Sequence, residues 1–230
     1  PMRLQRIAGA MSWRYAIGEV LLIVVGVSIA LAASSWYEDR KERAAERAML
    51  QQIRQTLEID LAEFERNQRA HLEQESAIIR LIEHMEGEAA YEPALSANFN
   101  ALRRWRQTKS NRAAFEALRS RGFRLVQDDE LRSMIIEYYD DLAPGPTNAA
   151  LNDRAFVTSR LTPYMDRHVV FKDSRTLIPI DYEALRRDAY FRNLCMTKLR
   201  RLQSFTLPNY QQTNKMIREL IAAIDTALDS

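Results

Sequence analysis

A chain of 230 residues with 33 basic and 31 acidic side chains carries a formal charge of +2, so it projects no global field toward a polyanion, and nucleic acid is disfavoured as a partner. An apolar share of 47% beside 28% charged residues is too rich in core-forming groups for a disordered chain. The single cysteine, Cys195, has no intramolecular disulfide partner and leaves the redox compartment open.

Tyr15 to Trp36 is a run of 22 residues in which Glu19 is the one charge, bracketed by Arg14 and by Glu38-Asp39-Arg40-Lys41. A bilayer core about 30 Å thick needs roughly 20 apolar residues at 1.5 Å each, which predicts a single transmembrane helix over 15–36 behind a short basic leader over 1–14. A cleavable signal peptide would have an apolar region of only about 7–15 residues. Ala32-Ala33-Ser34 offers a cleavage-like site, yet the longer run and the interfacial pair Trp36-Tyr37 favour an uncleaved anchor, with the lipid bilayer as first partner. Pro1, ahead of Met2, reads as foreign to the natural chain and is set aside.

Within the span, Gly26, Ala30 and Ser34 recur every fourth residue and line one helix face, where a second backbone can approach closely. Glu19 lies within about 20° of that face at 100° per residue. A carboxylate there is costly against lipid and acceptable against a protein partner, a wet groove or Arg14; the plain alternative is that it snorkels to the headgroups. These four residues are the candidate association site, for a homo-oligomer or another membrane protein.

No Gly or Pro occurs from Trp36 to Met85, so the span is expected to continue into a long stalk helix within a helical domain over 37–230. Leu50, Leu57, Phe64, His71, Ile78 and Met85 recur at sevens, with Ile53 and Leu81 beside them, but Asp60, Asn67 and Gln74 interrupt the companion position. That broken stripe suits a helix packed in an antiparallel bundle better than a long dimeric coiled coil. Gly87 to Pro93 reads as a turn, followed by a short helix through Leu95, Phe99, Leu102 and Trp105 that ends near Thr108. Ser110 is expected to cap a helix stopping at Gly122, and Asp128 another that Pro144-Gly145-Pro146 closes. Asn148 to Val170 is helical with a bend or break at Pro163, Lys172 to Pro179 is irregular, and Asp181 caps a helix running to Leu202. A last helical segment follows Pro208, which either kinks one helix or separates two. The predicted class is all-α.

Catalytic, cofactor and metal sites are all read as none. His71, His84 and His168 stand apart from each other and from Cys195, and no phosphate loop, nucleophile elbow or zinc-ligand spacing occurs. Arg103, Arg104, Trp105, Arg106, Lys109 and Arg112 open a basic segment that Arg119, Arg121 and Arg124 extend, with Glu116 its one acid. It is a candidate docking patch for an anion or an acidic partner. The plainer alternative pairs it with Asp128-Asp129-Glu130, Glu137, Asp140 and Asp141 downstream.

Arg14-Tyr15-Ala16-Ile17-Gly18-Glu19, the branched apolar run and Trp36-Tyr37-Glu38-Asp39-Arg40-Lys41 together resemble an uncharacterised family of bacterial single-span membrane proteins. A second block, Ala114-Phe115-Glu116-Ala117-Leu118-Arg119-Ser120-Arg121-Gly122 and then Ile135-Ile136-Glu137-Tyr138-Tyr139, is similar to that family's internal motif. The resemblance covers about the first 140 residues and implies an anchor plus a helical domain, with no activity, cofactor or catalytic residue to carry over. This chain departs from it in having fewer basic residues before the span.

These readings converge on a non-enzymatic sensor, scaffold or accessory subunit of the bacterial inner membrane. The alternative is a cytoplasm-facing effector that grips anionic lipid or nucleic acid through the 103–124 segment. Arg3, Arg6 and Arg14 before the span nearly balance Arg40, Lys41, Arg43 and Arg47 after it. A short basic leader before a first span places the N-terminus in the cytoplasm and the helical domain in the periplasm. Replacing Gly26 and Ala30 by Leu is expected to lower the oligomeric state measured in native membranes by cross-linking; an unchanged state removes the association face.

Overall fold

The computed structural model describes residues 13–173 and 176–229, without the side chains of 14–16. The leader residues Arg3 and Arg6, and the side chain of Arg14, therefore lie outside the described residues. The chain divides into two compact units, Pro1–Ala48 and Met49–Ser230.

Helix α1 spans Trp13–Glu86, as the absence of Gly and Pro after Trp36 requires. Within the first unit, its apolar residues are exposed on every side: Leu21, Leu22, Ile23, Val24 and Val25 follow one another around more than a full turn, each at least half exposed. This segment is long and apolar enough to cross a membrane, by length and composition. Arg40 caps it with its guanidinium 5.4 Å from the Trp36 ring centroid.

In the second unit the heptad seam of α1 is buried, but in two separate clusters. Leu50, Ile53, Leu57 and Phe64 pack with Phe115, Ile135, Tyr210 and Ile217. Ile78, Leu81 and Met85 pack with Phe99, Leu102, Leu161 and Phe191. Asn67, His71 and Gln74 lie between them along α1, so the polar interruption visible in the sequence becomes a polar belt between two apolar cores.

After a turn, α2 (Ser96–Arg103) stops short of the expected Thr108, leaving a connection to α3 (Ala113–Arg121). Ser110 does not cap α3; its hydroxyl donates to Asp60 at 2.8 Å, and the Asn111 side chain accepts from the Ala113 N–H instead. Gly122, at φ +96°, ends α3 as expected. Asp128 caps α4 (Asp129–Glu137) by accepting from the N–H groups of Glu130 and Leu131.

The prolines do not break the helices that follow. Helical backbone runs through α4, a π-turn at Tyr138–Leu142, α5 (Pro144–Phe156), a π-turn at Val157–Leu161 and α6 (Thr162–His168). It does so again through α8 (Ala189–Arg201), a π-turn at Leu202–Thr206 and α9 (Leu207–Asp229). In each case the residue just before a proline closes the wide turn: Ala143 donates to Tyr138 O, Thr162 to Val157 O and Leu207 to Leu202 O. The ring of Pro144, Pro163 or Pro208 would press on the carbonyl four residues back and supplies no N–H; one extra residue in the turn relieves both problems.

Between these runs, β1 (Val169–Phe171) and β2 (Leu177–Pro179) pair antiparallel with Val170 opposite Ile178. The helix expected to reach Val170 thus stops at His168, where two β-branched valines favour extended backbone. The helix expected from Asp181 to Leu202 is likewise divided: Asp181 caps α7 (Tyr182–Arg187), and Asp188 caps α8 through the Tyr190 N–H. Apart from the β1–β2 hairpin, the regular elements among the described residues are helical. α9 runs opposite to α1 in this unit, since Arg54–Asp225, Glu65–Arg218 and Gln68–Asn214 pair in inverse order.

Candidate functional site: a polar cleft above a buried ion pair

The belt is organised by Lys198 of α8, whose side chain is fully enclosed. Its ammonium lies 2.6 Å from each oxygen of Asp153 on α5 and donates at 3.0 Å to the carbonyl of Arg104. Three donors thereby meet three acceptors, the condition under which an ammonium tolerates a dry site. Burial pushes the lysine below its ordinary range, with Asp153 opposing that shift.

The Arg104 carbonyl also receives Gln74 Nε2 at 2.8 Å, and the same amide donates to Ala101 O at 2.6 Å. With its nitrogen so committed, Gln74 turns its oxygen toward His71 Nδ1, 3.2 Å away, which assigns the imidazole proton to Nδ1. Burial holds His71 below its usual 6.5, against the opposing bond from Gln74. Its ring lies 5.5 Å from that of Tyr210, whose hydroxyl hydrogen-bonds Thr108 Oγ1; Asn67 donates to the same oxygen.

A cavity of about 450 Å³ opens above Asp153. Asn148 and Asn152 of α5 form one wall, and Arg201, Phe205, Thr206 and Asn209 form the other across the π-turn. Arg201 donates to the Asn152 carbonyl at 2.8 Å and lies over the Phe156 ring at 5.4 Å. Asn209 Nδ2 donates to Phe205 O at 2.6 Å, which points its oxygen toward Gly145; a Cβ at that glycine would collide with it. The cleft offers amides, one hydroxyl and an exposed aromatic ring above a neutralised pair of charges. The one carboxylate lining it, Asp153, is paired with Lys198.

A second buried carboxylate, Asp60, lines a shallower cavity of about 570 Å³ with Glu63, Lys109 and Arg112. It accepts from Ser110 Oγ at 2.8 Å and from the Asn111 N–H at 3.0 Å. Burial raises its pKa, and those two bonds only partly offset the effect. The Tyr138 hydroxyl is near enough to feel Asp60 and Ser110 but completes no hydrogen bond, and burial raises it strongly.

Glu19, Gly26, Ala30 and Ser34 are exposed on α1, and beyond the adjoining residues and backbone of the helix itself no atom lies within 4 Å of a Cβ built on Gly26. The basic segment is dispersed over several jobs. Arg103 sits 4.3 Å over Phe171, Arg104 contributes its carbonyl to the belt, and Trp105 lies under the Arg154 guanidinium at 4.9 Å. Arg106 and Lys109 are exposed. Arg112 and Arg119 both pair with Asp140 at 3.0 Å and with Glu116. Among the histidines, His84 bonds the Tyr182 hydroxyl at 2.6 Å and His168 stacks on Tyr164 at 4.3 Å. Among the described residues no three His, Cys, Asp or Glu side chains group as a metal site, and burial pushes the Cys195 thiol up to about 12.

Asp153 and Lys198 were not singled out from sequence, although a signal existed. Leu194, Lys198 and Leu202 recur every fourth residue, as do Ala149, Asp153 and Val157, so each charge sits within a buried stripe. No protein-family model matches the chain, and no match is found among curated proteins or solved structures.

Lys198→Met strands the buried carboxylate and is expected to cost about 3–5 kcal/mol in denaturant unfolding, whereas Lys198→Met with Asp153→Leu restores most of the loss. Additive losses in the double variant would refute the pairing.

For His71 the folded pKa is depressed, so its contribution to stability is present above about 6.5 and is lost as pH falls through the lower folded value. His71→Gln should therefore flatten the decline in unfolding free energy between about pH 7 and pH 5. An unchanged slope would mean that other groups control the decline.

Proposed function

We propose that the protein is a single-pass protein of the bacterial inner membrane, with residues 15–36 in the bilayer, the N-terminus in the cytoplasm, and an antiparallel helical bundle over 37–230 in the periplasm. It acts without catalysis, as a sensor, scaffold or accessory subunit of a membrane assembly. The observation that carries this reading is the exposed apolar girdle of α1. Leu22 is 76% exposed and Ile29 64% on one side of the helix, and Leu31 is 65% exposed on the opposite side. A single apolar stripe would call for one partner helix; a full girdle calls for lipid. Within the helical domain, a polar cleft and an internally satisfied ion pair suit binding better than turnover.

The test combines alkaline carbonate extraction of membranes with two reporters fused after residue 230, alkaline phosphatase for the periplasm and a fluorescent protein for the cytoplasm. The expected result is a carbonate-resistant protein with active phosphatase and a dark fluorescent fusion. Release by carbonate would end the anchor reading. Fluorescence with inactive phosphatase would reverse the orientation and favour the 103–124 segment as a grip on inner-leaflet lipid or nucleic acid.

A further inference from the structure

We propose that the cleft above Asp153 binds a small, uncharged saccharide. The cavity of about 450 Å³ falls within the roughly 300–1,000 Å³ span of small-molecule sites.

Charge argues for an uncharged ligand. Both oxygens of Asp153 are engaged by Lys198, so the floor presents a cancelled pair. Arg201 gives one N–H to the Asn152 carbonyl and lies over the Phe156 face. Asn148 and Asn152 are exposed and remain to contact a ligand, beside Asn209, one of whose N–H groups is given to Phe205 O. A carboxamide sets a donor and an acceptor side by side in one plane, and a pair of neighbouring sugar hydroxyls, each able to give and accept, is its complement.

The rim supplies the second element of sugar recognition. Phe205 is 61% exposed, which is unusual for a phenylalanine lining a polar cavity. The electron-rich face of its ring attracts the C–H side of a pyranose, which has one apolar face and a belt of hydroxyls. The same wall is held in place, because only a glycine at 145 leaves room for the Asn209 carboxamide in its observed pose. An anion would find Arg201 alone as a cation, one of its N–H groups already given to Asn152, and an apolar ligand would need an apolar lining.

This inference goes beyond the membrane reading and fails separately from it, because binding is read on the purified full chain whichever side of the membrane it faces. The chain is held in a detergent without sugar headgroups, and glucose, N-acetylglucosamine and glucuronate are titrated by calorimetry and saturation-transfer NMR. The expected result is saturable binding of a neutral sugar with a Kd of about 1 mM or tighter, weakened about tenfold by Phe205→Ala and by Asn148→Leu. Both positions are solvent-facing, so the variants should keep the wild-type melting temperature, and Gly145→Ala should weaken binding through Asn209. Three results would overturn the proposal: no saturable binding up to about 50 mM, binding confined to glucuronate, or affinity that all three variants leave unchanged.

Discussion

An ammonium buried where no water reaches it constrains everything around it. Lys198 can stay charged only if all three of its protons are accepted, and the acceptors come from two other parts of the chain: Asp153 on α5 and the backbone at Arg104 beyond α2. The Arg104 carbonyl is shared with Gln74 of α1, so four segments meet through directional bonds at one point. The apolar clusters on either side contribute most of the burial but tolerate repacking. The bonds at the belt do not, since a shift of an ångström would leave a donor or a carboxylate unpaired.

A second constraint comes from the prolines. In a regular α-helix, neighbouring residues project about 100° apart. Tyr138 and Tyr139, both completely buried, open a π-turn, in which the extra residue widens the helix. The same device at Leu202–Thr206 buries Thr206 and Leu207 while Phe205 faces out. One wall of the cleft therefore has its shape because Pro208 cannot accept an ordinary turn before it. The proline thus redirects side chains rather than ending the helix.

How much of this was legible in the sequence depends on how local each cause is. The α1 seam, its polar interruption and the caps at Asp128 and Asp181 follow from spacing and side-chain type, and all appear where expected. Pro144 misleads because the usual rule treats it as a breaker, whereas a residue added to the turn accommodates it; at Pro163 and Pro208 the chain takes the undivided alternative that the sequence left open. Ser110 was drawn from its expected cap by Asp60, fifty residues away, and Asp188 divided a helix that periodicity alone would continue. The Asp153–Lys198 pair spans 45 residues, so neither charge could be matched from spacing. The basic run was visible as composition, but its division among Phe171, Arg154 and Asp140 depends on which elements the fold brings beside it.

The position of the belt bears on why it is polar at all. Exchanging a buried ion pair for well-packed apolar residues is often neutral or stabilising by about 1–4 kcal/mol, so stability alone gives little reason to retain one. Here Asp153 has one side against Lys198 and the other along the cavity. A leucine at that position would turn the cavity floor apolar and favour its collapse, whereas the paired carboxylate keeps the floor polar without leaving an unpaired charge on it. Both the cancelled charge and the open floor follow from the same three hydrogen bonds. The polar break in the α1 seam, which weakens a coiled coil, is therefore what an interior needs if it is to support a wet recognition site between two dry cores.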